Sequence, residues 1–420
     1  MKKKTDLDRP RVALLIESSR AYGRRTLFGV ARYVREHRPW SIFLQERSLG
    51  DVCPAWLKDW RGDGIIARVE NRQIANGIQR LGMPVVDVRY LLKNLAMPSV
   101  RPDDAAAARL AFEHLRERGF HQFAFCGFNG ADYSDVRRDS FCACAAAAGM
   151  TCDVYEDPVR LPRATTQQHE ARGLKDGEHV SRWLQKLPKP VGIMACNDIR
   201  GQQVLNACRA AGVPVPEEIA VVGVDNDEVL CELSDPPLSS VSLDTERIGY
   251  EAAALLDQLI AGKTPAQELI LVAPAGVVTR RSSDVLAIED PPISTASRFI
   301  GEHACSGIDV SDVLRVVPLS RSTLERRFLR AFGHSPKEEI LRVRIARAKQ
   351  LLGETNLCLD EVAQKVGFEH PEYLSVLFKK RTGMTPGRFR ARTLAATRRE
   401  GSGHNPRPVR ARGIHHAARL

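Results

Sequence analysis

Between residues 10 and 285 the chain alternates short β-branched runs with amphipathic stretches of helical length, and no other feature restricts the fold as strongly. RVALLIES (11–18) reads as a strand, RRTLFGVARYVREH (24–37) as a helix and WSIFLQER (40–47) as the next strand. DGIIARV and PVVDV are again strands, each after a helical stretch. AAARLAFEHLRERG (106–119) is a helix leading into FHQFAFCGF (120–128), and VSRWLQKL, PVGIMAC, GQQVLNACRAAG and EIAVVGVD repeat the alternation. Such alternation predicts parallel sheets covered by helices on both faces. Eight or more strands over about 275 residues exceed one small sheet, so two doubly wound α/β lobes are expected, with ligands at the carboxyl ends of the strands.

Polar loops follow those ends. VALLI gives way to Glu17, Ser18, Ser19, Arg20 and Tyr22; VGIMAC to Asn197 and Asp198; AVVGV to Asp225, Asn226 and Asp227. Carboxylates and amides there suit sugar hydroxyls, and an aromatic ring suits the apolar face of a sugar. An aspartate at a strand end serves equally as a helix cap or turn residue, and the residues alone leave both readings open.

The back of the chain holds one unit twice. VSDVLRVVPLSRSTLERRFLRAFGHSP (310–336) and LDEVAQKVGFEHPEYLSVLFKKRTGMTP (359–386) match at Leu324/Leu374, Phe328/Phe378, Gly333/Gly383 and Pro336/Pro386, at an offset of 50. Val313/Val362 and Val317/Val366 match at 49, so the second turn carries one extra residue. Each unit reads as helix, tight turn, helix. Ser320 or Ser322 starts the second helix of unit one, and Ser322 with Glu325 fits a capping box. LRVRIARAKQLL (341–352) is a helical connector.

Charge separates the two regions. Residues 293–420 hold 24 Lys+Arg against 12 Asp+Glu, whereas residues 1–292 hold 38 against 39. A basic helical region on a neutral α/β region points to a polyanionic partner, double-stranded DNA. Off the apolar stripe of unit one lie Ser322, Glu325 and Arg326, with Arg321 beside them. In unit two His370, Glu372 and Ser375 lie off it, with Lys379 following. The second helix of a helix-turn-helix enters the major groove, where Arg suits guanine and Glu suits cytosine.

Other classes find little support. No GxGxxG follows a strand, and GxxxxGK[ST], GxSxG and HExxH are absent, so neither a catalytic residue nor a cofactor is expected. The ten cysteines include no CxxC pair and read as reduced and mostly buried, so no metal is expected. The VALLI run is too short for a signal peptide or a membrane span, which favours a cytoplasmic protein without membrane partners.

On these residues the front resembles the sensor domains of the LacI/GalR regulators, which share the fold of periplasmic sugar-binding proteins. The resemblance is carried by DGII (63–66), MPVVDV (83–88), AFEHLRERGFHQFAFCG (111–127), VRRDSFCACAAAAGM (136–150), the run from Ala195 to Asp244, and VVTRRSSD (277–284). It implies that Arg137, Asp198 and Asp225 bind ligand hydroxyls, although Ser140 replaces the glycine of the family's R-x-x-G-F motif. Residues 359–390 and LSRSTLERRF (319–328) resemble the AraC/XylS DNA-binding domain, whose two helix-turn-helix units are joined by a long helix. Pro318 stands where that family often has glycine.

Taken whole, the chain resembles xylose-responsive regulators that pair these two modules in this order. That implies a transcription activator binding D-xylose and a DNA operator, a homodimer through the sensor, with RNA polymerase as a candidate further partner. The expected organisation is a sensing domain at 10–285, a DNA-binding domain at 286–395 and a basic tail at 396–420. The expected ligand residues are Ser19, Tyr22, Arg137, Asn197, Asp198 and Asp225. A regulator answering to another sugar or small polar metabolite, and a sugar-binding protein without regulatory role, are the alternatives.

Overall fold

The computed structural model describes residues 9–89, 97–157, 165–284, 290–355 and 357–392; the basic tail lies outside them. The chain divides into two compact units, Met1–Glu289 and Asp290–Leu420.

The first unit opens with β1 (Arg11–Leu15), α1 (Ala21–Glu36), β2 (Ser41–Leu44), β3 (Gly64–Ala67), α2 (Arg72–Gln79), β4 (Val85–Asp87) and β5 (Ser99–Pro102). A second lobe follows, with α3 (Asp104–Glu117), β6 (Gln122–Cys126), α4 (Asp132–Ala147), β7 (Cys152–Val154), α5 (Thr166–Gly173) and α6 (Gly177–Lys186). It continues through β8 (Val191–Ala195), α7 (Asp198–Ala211), β9 (Ile219–Val224), α8 (Glu228–Leu233) and β10 (Ser239–Ser242). The chain then returns to the first lobe for α9 (Thr245–Ile260) and β11 (Leu269–Val272), and crosses once more for β12 (Gly276–Val278).

Two six-stranded sheets result, ordered β11-β5-β4-β3-β1-β2 and β12-β10-β9-β8-β6-β7. Every neighbouring pair is parallel except β10 with β12. Every residue of β8 and β9 is buried, as strands covered on both faces require, which is why they read as unbroken apolar runs. The edge strand β2 keeps the same composition but is exposed along its length.

Helices α1 and α9 pack backbone to backbone. A Cβ on Gly29 would lie 1.8 Å from the Glu246 carbonyl oxygen, and one on Gly249 would lie 1.9 Å from that of Thr26. No side chain fits at either position, so the head of α1 is carried rigidly by the first lobe.

The second unit is helical: α10 (Pro291–His303), α11 (Val310–Val316), α12 (Arg321–Phe332), α13 (Pro336–Glu354), α14 (Leu359–Lys365) and α15 (Pro371–Thr382). The repeat read from the sequence is present in space. Val313, Val362, Leu324, Leu374, Phe328 and Phe378 are all fully buried, and Gly333 and Gly383 end their helices at φ 73° and 75°. Four residues join α11 to α12 and five join α14 to α15, the one-residue difference that the change of offset implies. Gly367 makes the second turn at φ 77°, whereas in the first turn Val317, just before Pro318, is in extended backbone. Of the two serines expected to start α12, Ser320 is the N-cap and accepts from the Thr323 amide at 3.3 Å; the capping box expected of Ser322 and Glu325 does not form. Helix α13 runs five residues further toward its N-terminus than the connector read from sequence, because Ser335 and Glu338 cap it reciprocally and Pro336 sits in its first turn.

Candidate functional site

A cleft enclosing about 560 Å³, its open mouth included, lies between the lobes of the first unit. One wall comes from residues that follow β1, β3 and β4, namely Arg20, Tyr22, Arg68 and Arg89; Arg101, Pro102 and Asp104 line the crossover; Tyr133, Arg137, Thr166, Glu170, Asn197 and Asp225 form the other wall.

Charge is closely matched around it. Arg137, 3% exposed, donates to Asp104 at 2.8 Å and to the Cys196 carbonyl at 2.5 Å, and sits 3.9 Å from Asp225. Arg20 makes a two-pronged bond to Glu170 at 2.8 and 2.5 Å, from one lobe to the other. Arg68 is clasped by Glu17 at 2.5 Å and Glu70 at 2.6 Å, and covers the Tyr22 ring at 4.7 Å. Arg89 pairs with Asp132 at 2.7 Å and lies over the Tyr133 ring. Burial pushes the Glu70 carboxyl up, but Arg68 and Arg89 outweigh it and hold the group below the usual carboxylate range.

Asp225 differs from its neighbours. Its backbone adopts φ 112°, a conformation that L side chains rarely hold. Its carboxyl is pushed up to about 6 because it is withdrawn from bulk water, an effect only partly offset by Arg137 and Arg68. Asp227, two residues on, caps α8, and Asn197 caps α7 while its amide donates to Glu170 at 3.2 Å. The open choice between cap and ligand group therefore divides: Asp227 caps, Asn197 does both, and Asp225 faces the cleft.

Tyr22, Arg137, Asn197 and Asp225 thus come together as expected from the sequence. Two expected residues do not join them. Asp198 is turned away from the cleft: its carboxylate accepts from Ser240 at 2.5 Å and from the Asp227 amide at 2.7 Å, fixing the loop after β9. Ser19 is exposed and outside the lining. The lining also includes residues not expected from the sequence, among them Arg68, Arg89, Asp104, Tyr133 and Glu170. For Arg68 and Arg89 a signal exists, since each follows the apolar run of a strand, as Asp225 does. Alternating carboxylates, guanidinium groups and an amide, with two tyrosine rings, suit a small polyhydroxylated molecule whose hydroxyls both donate and accept.

In the second unit, α12 and α15 each bury Leu and Phe and expose the other face. On α12, Arg321, Ser322, Glu325 and Arg326 are exposed. Arg321 lies 3.3 Å from Glu325, and Arg327 is committed to Asp290 at the cap of α10. Arg326 has no hydrogen bond or ion pair among the described residues. His370 at the N-cap of α15 is exposed, as are Glu372 and Lys379 on the helix, and Ser375 is half-buried. Among the described residues no helix is long and apolar enough to cross a membrane, and no cluster of potential metal ligands occurs.

A two-lobed binding fold and a double helix-turn-helix in one chain define a ligand-responsive, DNA-binding transcription regulator. Comparison with known proteins agrees: the XylR N-terminal domain matches residues 11–100, the periplasmic binding protein-like domain 112–283, and a helix-turn-helix domain 313–392. The xylose operon regulatory protein of Escherichia coli K12 is 34% identical over 390 residues, 91% of this chain and 97% of that one. That of Haemophilus influenzae is 32% identical over 388 residues, 90% and 98% of the two chains. A solved structure of the xylose-binding transcription activator xylR has a TM-score of 0.76 at 32% identity, covering 92% of this chain and 99% of that one. The chain belongs to the family of xylose operon regulatory proteins.

Proposed function

We propose that the chain activates transcription of xylose-utilisation genes and that D-xylose is the ligand of the interlobe cleft. The observation that carries the cleft assignment is Asp225, held at φ 112° with its carboxyl facing the cleft beside Arg137. Strained backbone of this kind clusters at active sites and ligand clamps. The names of the relatives, which are xylose operon regulators and a xylose-binding activator, support the choice of sugar.

In this reading Tyr22, Arg137, Asn197 and Asp225 contact the sugar, with Arg68, Arg89 and Glu170 as further contacts. Residues 10–285 sense, residues 286–395 read DNA, and the tail at 396–420 adds phosphate affinity. Arg321, Ser322, Glu325, Arg326, His370, Glu372, Ser375 and Lys379 face the operator. The protein works in the cytoplasm, where its DNA is, and activation makes RNA polymerase a partner. Self-association through the sensing unit is supported by Phe28 on α1 and Val229 and Leu233 on α8, 64%, 63% and 76% exposed, beside the Arg25–Glu228 ion pair.

Calorimetric titration of the full chain with a panel of pentoses and hexoses tests the assignment. D-xylose should bind, and Asp225→Ala should lose that binding while keeping its DNA affinity. Tight binding of another sugar with none of D-xylose would replace the ligand, and unaltered binding by Asp225→Ala would remove Asp225 from the site.

A further inference from the structure

Helices α12 and α15 are each twelve residues long and share the same anchors, so their exposed positions correspond one to one. At an offset of 50, Ser322 corresponds to Glu372, Glu325 to Ser375 and Arg326 to Val376. The last pair is the sixth residue of each helix, in the half that reaches base edges in a docked helix-turn-helix. The two residues there have opposite chemistry. Arg326 is exposed and has no hydrogen-bond partner or counterion among the described residues. Val376 is 66% exposed, although Leu374 and Phe378 on the same helix are fully buried. It lies beside Ser375, one turn after Glu372 and the exposed Tyr373 and one turn before Lys379 and Lys380, so a small apolar group stands among an acidic, an aromatic and two basic side chains.

A β-branched side chain in an exposed helical position contributes nothing to helix propensity and, here, little to the core. In a major groove its partner is defined by chemistry. Thymine alone among the four bases presents an apolar group there, its C5 methyl, whereas guanine presents the O6 and N7 pair that a guanidinium bridges.

We propose that Val376 is a specificity-determining residue that reads a thymine methyl, while its counterpart Arg326 reads a guanine. The inference rests on α12 and α15 being the base-reading helices. It goes beyond that reading by making the two units unequal: a chain that repeats its fold does not repeat its base preference. The bound site is then two different half-sites in fixed order, not one sequence written twice.

The experiment starts by selecting bound sequences from random duplex DNA with the full chain and D-xylose at fixed salt. Each thymine of the selected site is then replaced in turn by uracil, which removes only the methyl. For the wild type, uracil at one position in the half-site of unit two should weaken binding about fourfold, the change that corresponds to one buried methyl at ~0.8 kcal/mol. Val376→Ser, at an exposed position that leaves the core intact, should bind the thymine and uracil duplexes equally. Arg326→Ala should keep the thymine effect and lose preference for a guanine in the other half-site. If Val376→Ser keeps the wild-type response to uracil while Arg326→Ala loses its guanine, the reading helices stand and the assignment of Val376 falls. If the wild type enriches no sequence at all, both fall together.

Discussion

Replacing Asp225 with glycine should make the sensing unit more stable while removing ligand binding. A non-glycine residue held at φ 112° costs on the order of 1–3 kcal/mol, and glycine adopts that backbone freely. The carboxyl adds a second cost, because it is withdrawn from water enough to be pushed up to about 6. Its side chain is 32% exposed, so screening by cleft water reduces that cost to roughly 1 kcal/mol near neutral pH. Against these stands the greater chain entropy of glycine in the unfolded state, roughly 0.5–1 kcal/mol. Arg137 keeps Asp104 and the Cys196 carbonyl as partners when Asp225 is gone. The balance is a gain of about 2 kcal/mol, or a rise of roughly 4–8 °C in the sensing-unit transition. Calorimetric melting of the ligand-free full chain at pH 7.5, paired with a D-xylose titration, reads both effects. A melting temperature at or below that of the wild type would show that the carboxylate holds the fold together, and the reasoning from strain would fail.

Arg137→Ala should behave in the opposite way: it leaves the buried Asp104 carboxylate without its counterion and should cost about 3–5 kcal/mol in thermal or urea unfolding. Sugar affinity should fall about fourfold from pH 7.5 to 5.5 in calorimetry, because Asp225 accepts hydroxyl hydrogens as a carboxylate above about pH 6 and loses that form below it; Asp225→Asn should flatten the profile. The adjacent arginines of α12 should separate. Arg326→Ala should cost ~1–3 kcal/mol of specific binding by fluorescence anisotropy. Arg327→Ala should keep base preference and lower the unfolding free energy of the helical unit by about 1 kcal/mol in urea unfolding, because Arg327 is held by Asp290.

The sheets were readable because strands buried on both faces are continuous apolar runs, as in VGIMA and IAVVGV. The helical repeat was readable because Leu324, Leu374, Phe328 and Phe378 must fill equivalent cores, which fixes residue type as well as spacing. The cleft was readable only in part. Asn197 and Asp198 are neighbours in the chain, yet one faces the cleft and the other turns inward to Ser240. That direction is set by Ser240 on β10 and by the Asp227 amide in the loop after β9, both distant in sequence. Glu170 meets Arg20 across 150 residues, and nothing local in TQQHEARG announces a partner in the other lobe. The exposed β2 shows the converse: SIFL has the composition of a central strand, and only its place at the sheet edge leaves it uncovered.

Helix α13 has a consequence for how the chain measures its operator. Its 19 residues make a rod of about 28 Å at ~1.5 Å per residue, capped at its start so that the length is well defined. One turn of B-DNA is about 34 Å. The rod is thus close to one such turn in length, and it packs against α12 of the first helix-turn-helix and α14 of the second. Many dimeric repressors set the spacing between two blocks of sequence by the distance between subunits; here one covalent strut joins the two units. A base pair inserted between two blocks of sequence would turn one by about 36° relative to the other, and full-chain binding to such a site should weaken in an anisotropy titration.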